Sequence, residues 1–305
     1  MTLDAKTWLL IALAFVSLFY LVIVGSAVIR HRRVAVASGL PMGSVTPSIT
    51  GLAIGFVTNF FDTLGIGSFA PTTALFRFFK TVPDDELPGT LNVGHTFPTL
   101  IEAFIFIGAV QVDPTTLISM IAASTLGAWM GAGVVSKLDR RSIQIGMGVC
   151  LLVAAMLFLA KVLNLAPGAG EAIGVHGTKL VIAIVGNFVL GALMTLGIGL
   201  FGPCLILVSL LGMTPLAAFP IMMGSCAFLM PVASARFTKT LKFNLKASLG
   251  LIIGGAPAVL IAAYIVKSLD LKAVMWLVIV VVLYTSATLL RAAFAKPAPR
   301  PTQTA

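Results

Sequence analysis

Charge is what this sequence has least of. Lys and Arg number 20 and Asp and Glu 10, together 10% of 305 residues, against roughly 25% in a soluble domain. Such a chain has too little polar surface to stay in water, and no stretch is long and polar enough to form a separate soluble domain. Cysteine is nearly as scarce. Cys150, Cys204 and Cys226 lie in apolar or glycine-rich segments without metal-ligand spacing, which argues against a disulfide framework or a metal centre and leaves them as small packing residues. A P-loop is missing too, so no nucleotide or other cofactor is expected. The net charge of +10 does not point to nucleic acid, because the basic residues form short clusters between apolar runs, as in cytoplasmic loops.

What is present is apolar. Hydrophobic residues make up 59% of the chain and the mean hydropathy is +1.08. Runs long enough to cross a bilayer, about 20 residues each, recur over 8–29, 91–110, 114–136, 142–163, 215–234, 247–267 and 271–291. The first is too long for a cleavable signal, lacks a small-residue cleavage site, and is followed rather than preceded by Arg30-His31-Arg32-Arg33. It reads as a retained helix with its N-terminus outside.

One segment occurs twice. Thr63-Leu64-Gly65-Ile66-Gly67 returns as Thr195-Leu196-Gly197-Ile198-Gly199, and the same shift of 132 aligns Phe69 with Phe201, Pro71 with Pro203 and Phe56-Val57 with Phe188-Val189. Glycine lets a chain leave helical geometry, and proline suits the first turn of a new helix because its missing N–H would be unpaired there. Two Gly/Pro-interrupted segments at matching places in the halves of a membrane chain are the mark of a secondary transporter whose broken helices meet at mid-membrane.

Basic residues orient the chain. Arg30, Arg32 and Arg33 place the linker 30–47 inside, and Arg77 and Lys80 bring the first broken segment, 48–80, back to that side. The uncharged turn Gln111-Val112-Asp113 is outside, Lys137, Arg140 and Arg141 inside, and the linker 164–178 outside. The second broken segment, 179–212, begins and ends outside; Arg236, Lys239, Lys242 and Lys246 lie inside, as does the tail with Arg291, Lys296 and Arg300. Matching loops therefore differ in charge. The expected fold is an all-α polytopic membrane protein: a lead helix and linker (1–47), repeat 1 (48–163), an external linker (164–178), an inverted repeat 2 (179–292) and a cytoplasmic tail (293–305). The turn at 267–272 is the weakest step in this topology. A multi-pass protein of the plasma (inner) membrane, with its C-terminus cytoplasmic, follows.

Free N–H groups and the positive dipole end of a helix N-terminus form an anion cradle. The expected substrate is therefore a small anion held between the breaks. Its contacts come from Thr63, Gly65, Gly67, Ser68, Pro71, Thr72, Asn92, His95 and Thr96 in the first half, and from Thr195, Gly197, Gly199, Pro203, Cys204 and Ser225 in the second. Ionisable groups inside spans are costly and face cavities; Asp62, His95 and Glu102 are the candidates for proton coupling, and all three belong to the first half. An intramembrane serine hydrolase built on Ser68 and His95 is disfavoured: there is no nucleophile elbow, and Leu200 stands where the repeat would need a serine. The chain reads as no enzyme. A channel and a non-transporting membrane subunit remain as alternatives, and an oligomer is compatible with the sequence.

The duplicated segments GIGSFAP and GIGLFGP, one opening each half, resemble those of the TauE/SafE family, the sulfite exporter-like permeases also called TSUP. The likeness covers roughly residues 48–292. It departs from the commoner family pattern in having Ser68 and Leu200 where a third glycine usually follows. The resemblance implies transport of sulfite, an organosulfonate or a related small carboxylate anion, without choosing among them.

Overall fold

The computed structural model describes residues 4–37, 46–65, 67–83, 86–135, isolated positions between 141 and 163, 170–195, 199–266 and 271–294. The expected span 142–163, the glycine at 197, the turn 267–270 and the tail beyond 294 lie outside the described residues, wholly or in most of their positions.

The helices are α1 (Ala5–Ala37), α2 (Ile49–Thr63), α3 (Phe69–Phe78), α4 (Leu87–Ala109), α5 (Pro114–Val135), α6 (Gly177–Met194), α7 (Phe201–Leu210), α8 (Pro215–Thr240), α9 (Leu245–Val266) and α10 (Leu271–Phe294). Among the described residues, α1, α6, α8 and α9 are both long and apolar enough to cross a membrane. The protein is an all-α membrane protein. The 23-residue α4 is long enough but carries a buried polar face, so it is wrapped by other helices rather than by lipid. It touches α1, α2, α3, α8 and α9.

Helix α1 is peripheral. Leu9, Leu13, Tyr20, Ile23 and Ala27 form its buried stripe, while Trp8, Phe15, Leu18, Phe19 and Val22 are exposed. The stripe lies on α4 and α8, and the Tyr20 hydroxyl donates to Val93 O at 2.5 Å. That bond gives the one polar atom of a fully buried side chain its partner.

Both broken segments double back. Phe76 on α3 and Val82 and Leu87 after it share an apolar cluster with Ile54 near the start of α2 and with Ala247 and Leu251 on α9. In the second half, the Lys179 Nζ at the start of α6 donates to Leu211 O at the end of α7, at 3.0 Å. Each segment is thus a long helix followed by a half-helix returning to the side it came from.

Contacts along the helices fix their directions. Phe106, late in α4, stacks on Phe219, early in α8, with ring centroids 5.2 Å apart; Thr96, early in α4, has its hydroxyl 3.3 Å from that of Ser234, late in α8. These two helices are antiparallel. Helices α2 and α9 run parallel and touch through backbone: a Cβ on Gly55 would lie 2.6 Å from Gly250 O, and Gly255 lies against Asn59. Helices α5 and α6 are parallel in the same manner, with Gly127 against Phe188 O, Gly131 against Ala192, and Asn187 Nδ2 donating to Met120 O at 2.7 Å.

The turns without lysine or arginine gather at one end. Asp113 N–H donates to Ile173 O at 2.9 Å, and Thr214 N–H to Ala172 O at 2.9 Å, so the linker before α6 crosses the starts of α5 and α8. Burial opposes the Asp113 charge, but the Thr116 N–H and hydroxyl hold its carboxyl below the usual carboxylate range. At the other end Asn244, beside the basic loop, takes Thr90 Oγ1 as acceptor at 2.9 Å, and His31 meets the Phe243 ring edge-on.

Candidate functional site

The two breaks meet. A Cβ on Gly67 would find Phe201 Cβ at 3.7 Å, and one on Gly199 would find Phe69 Cβ at 4.0 Å. Residues 67 and 199 are repeat partners, as are 69 and 201, so each break receives the other's phenylalanine. The half-helices α3 and α7, 10 residues each, are about 15 Å long, and two of them tip to tip match a hydrocarbon core of about 30 Å.

The local sequence explains the first break. Helix α2 ends at Thr63, and Gly65 and Gly67 take φ of +87° and +89°, the left-handed region where only glycine is unstrained. Ser68 then stands at the N-cap of α3 with no side-chain bond to its own helix. The first intrahelical bonds run from Thr72 N–H to Ser68 O at 3.0 Å and from Cys204 N–H to Leu200 O at 2.9 Å. The amides of Phe69 and Ala70, and of Phe201 and Gly202, therefore precede any intrahelical acceptor. Pro71 and Pro203 fill the third position of each half-helix, where an N–H would otherwise be orphaned, and both are half-buried.

Around the first break lies a buried polar cluster. His95 Nδ1 is 2.9 Å from Asn59 Oδ1, and Nε2 is 2.9 Å from Thr72 Oγ1. Asn59 Nδ2 donates to Gly55 O at 2.7 Å, which turns its oxygen toward the imidazole. Nδ1 thus carries a hydrogen toward Asn59 Oδ1, and Nε2 shares a hydrogen bond with the Thr72 hydroxyl, so both ring nitrogens are used. The Thr63 hydroxyl lies 2.7 Å from Glu102 Oε1, while Glu102 Oε2 is buried without a partner. Asp62 is buried against Ser68 and within electrostatic reach of Glu102.

The other first-half candidates are also buried. Asn92 donates to Pro88 O at 2.9 Å and keeps its Oδ1 unpartnered, and the Thr96 hydroxyl donates to Asn92 O. In the second half, the Thr195 hydroxyl returns to Ala192 O at 2.8 Å, and Cys204 is fully buried near Cys226. Ser225 Oγ accepts from Asn187 Nδ2 at 2.9 Å. The structure thus brings Thr63, Gly65, Gly67, Ser68, Thr72 and His95 around one break, with Gly199 and Cys204 facing them. Asn92, Thr96 and Ser225 lie further along α4 and α8.

Asn187 escaped the sequence reading. It links α6 to Ser225 as Asn59 links α2 to His95, and Cys226, which donates to Met194 Sδ at 3.4 Å, borders the same space. A shift of 128 would have paired Asn59 with Asn187, one helical turn away from the 132 of the motif. No group of three or more metal-binding side chains occurs among the described residues.

The sequence matches the family model described as sulfite exporter TauE/SafE over residues 1–158 of the 305. A search of curated proteins found no match. The match takes in the lead helix, the first break and the whole polar cluster on α2 and α4, and on it the chain belongs to the sulfite exporter TauE/SafE family of membrane proteins.

Proposed function

We propose that the protein is a secondary transporter of a small anion, sulfite or a related organosulfonate, held where the two breaks meet. The reciprocal seating of Phe201 at Gly67 and of Phe69 at Gly199 carries this reading, because it directs two helix N-termini at one point. Each terminus contributes about half a positive charge, which suits one small oxyanion without a lysine or arginine. Membership of a sulfite exporter family supports the sulfur-anion class. In this reading Ser68 and the leading amides of α3 and α7 contact the anion directly. Thr72 and His95 hold the wall behind Ser68, and Asn92 and Thr96 line the route along α4.

The same reading makes residues 48–163 and 179–292 inverted repeats. The matching helices α4 and α8 run antiparallel, and the α2–α9 and α5–α6 pairs are counterparts of each other, as a two-fold relation requires. The charge pattern then places the basic end in the cytoplasm of a cell with an inner membrane, the C-terminus included. Alternating access would rock one repeat against the other about the fixed breaks.

Reconstitution in liposomes tests the assignment. Purified protein is offered sulfite, sulfoacetate, sulfate, lactate and acetate, and exchange of labelled for unlabelled anion is followed. Saturable exchange of sulfite or sulfoacetate supports the reading; exchange of lactate or acetate alone reassigns the substrate to carboxylates, and non-saturating flux makes the protein a channel.

A further inference from the structure

We propose that Asp62 and Glu102 together form one proton-binding site, and that a small anion occupies the breaks only when this pair holds at least one proton. This inference rests on the transport reading above and adds the coupling group to it.

The geometry carries the argument. Asp62 closes α2 and Glu102 lies on the parallel stretch of α4, joined to α2 through the Thr63 hydroxyl at 2.7 Å. The two carboxyls are 2% and 0% exposed. Among the described residues, Cys226 on α8 lies within electrostatic reach of both carboxyls, with Cys204 on α7 behind it; the Thr63 hydroxyl donates to Glu102 and Ser68 to Asp62, while His95 on α4 is bonded to Asn59 and Thr72. No lysine or arginine is among these neighbours. Glu102 Oε2 is buried with no partner at all. A carboxylate oxygen in that position has lost its water and gained nothing, whereas a proton on the pair removes one charge and supplies a hydrogen-bond donor.

The balance of charge makes the proton obligatory. Two neighbouring carboxylates repel, and a single proton shared by the pair removes that repulsion. The two helix termini offer about one positive charge between them, which a bound anion takes up entirely, a dianion more than entirely. An anion arriving beside two ionised carboxyls would add negative charge next to a pair whose neighbours among the described residues include no lysine or arginine. Binding of the anion and binding of the proton therefore promote each other, by the reciprocity of linked equilibria.

His95 is a positioning residue in this scheme. Its imidazole already uses both nitrogens, Nδ1 on Asn59 Oδ1 and Nε2 on Thr72 Oγ1, and so fixes α2 and α3 against α4. In the second repeat Met194 matches Asp62 under the shift of 132, and Val232 matches Glu102 under the shift of 130 that pairs Gly94 with Gly224, so that repeat has no carboxyl at either place.

The test uses the full chain in lipid with sulfoacetate as the probe, since both of its acid groups stay ionised from about pH 6 to about pH 8. Its affinity is measured across that range, and the carbonyl stretch of a protonated carboxyl is followed in parallel by infrared titration without any ligand. Wild type is expected to lose about tenfold in affinity per pH unit for each proton linked, and to show a titrating carboxyl band. Asp62→Asn and Glu102→Gln keep the hydrogen-bonding shape of the protonated form, and are expected to flatten the slope and diminish the band. His95→Gln keeps both, whatever its effect on rate. The proposal is overturned if both carboxyl variants retain the wild-type slope, if His95→Gln alone abolishes it, or if wild type has no titrating carboxyl band. Exchange of sulfoacetate without slope or band defeats the proton site and leaves the transporter reading intact. A band that obeys the variants without any anion binding does the reverse.

Discussion

Replacing Gly67 by alanine puts a Cβ on a residue whose φ is +89°. The nearest neighbour of that Cβ, Phe201 Cβ at 3.7 Å, is at ordinary contact distance, so crowding adds nothing and the penalty is backbone strain alone. An L-residue in the left-handed region costs about 1–2 kcal/mol, roughly a 5- to 30-fold change in the ratio of folded to unfolded protein. Gly199, its repeat partner, has its nearest neighbour at 4.0 Å and no positive φ. Alanine there is therefore expected to leave stability unchanged. The sequence treats the two glycines as equivalent; the structure separates them. Gly65→Ala is the severe member of the series, because a φ of +87° is joined by Phe219 Cζ at 3.2 Å and Met222 Cε at 3.4 Å. Thermal unfolding in detergent, followed by fluorescence, should rank the variants Gly199→Ala, Gly67→Ala, Gly65→Ala from most to least stable. Equal stability of Gly67→Ala and Gly199→Ala would refute the strain argument, and with it the conformation assigned to the first break.

Three further outcomes follow from particular contacts. Asn187→Leu removes the hydrogen bonds to Met120 O and Ser225 Oγ together with an amide oxygen that is buried without a partner, so it should destabilise by about 0.5–1.5 kcal/mol in the same unfolding assay. Cysteines at Phe106 and Phe219, whose rings stack, should be joined by a short bifunctional reagent, while Thr96 paired with Phe219 should not; the opposite pattern would make α4 and α8 parallel. Asp113 accepts from Thr116 N–H at 2.8 Å, and its carboxyl is held below the usual range. Asp113→Ala should therefore cost about 1 kcal/mol near neutral pH, and the gap to wild type should close as pH falls through the lowered carboxyl value, where the native Asp113 is protonated as well.

The helices were legible because membrane spans are written in composition. The expected runs 114–136 and 247–267 became Pro114–Val135 and Leu245–Val266, and each broken segment is a helix, a break and a half-helix that doubles back. Helix α8 outruns its apolar stretch, continuing to Thr240, where Leu241 stops it in a left-handed conformation at φ 55°; an exposed basic final turn carries no hydropathy signal. The glycine motif identified the meeting point, since positive φ demands glycine at 65 and 67. Its polar surroundings were less legible. Asn59 and Asn187 serve matching roles from different turns of α2 and α6, so the register that aligns the motif misaligns them. The hydrogen bonds that hold the His95 ring join residues on three helices, α2, α3 and α4, and no spacing along the chain encodes that. Residue 197, a glycine of the second motif, lies outside the described residues, so the conformational argument is made at the first break.

The central claim is that an anion binds where the breaks meet, and the most direct measurement is exchange of labelled sulfite in proteoliposomes by wild type and by Gly199→Leu. The wild type should show saturable exchange. The leucine side chain, projecting toward Phe69 into the space between the half-helices, should abolish that exchange in a protein that still folds and inserts. Full exchange at unchanged affinity in Gly199→Leu would show that the anion travels by another route.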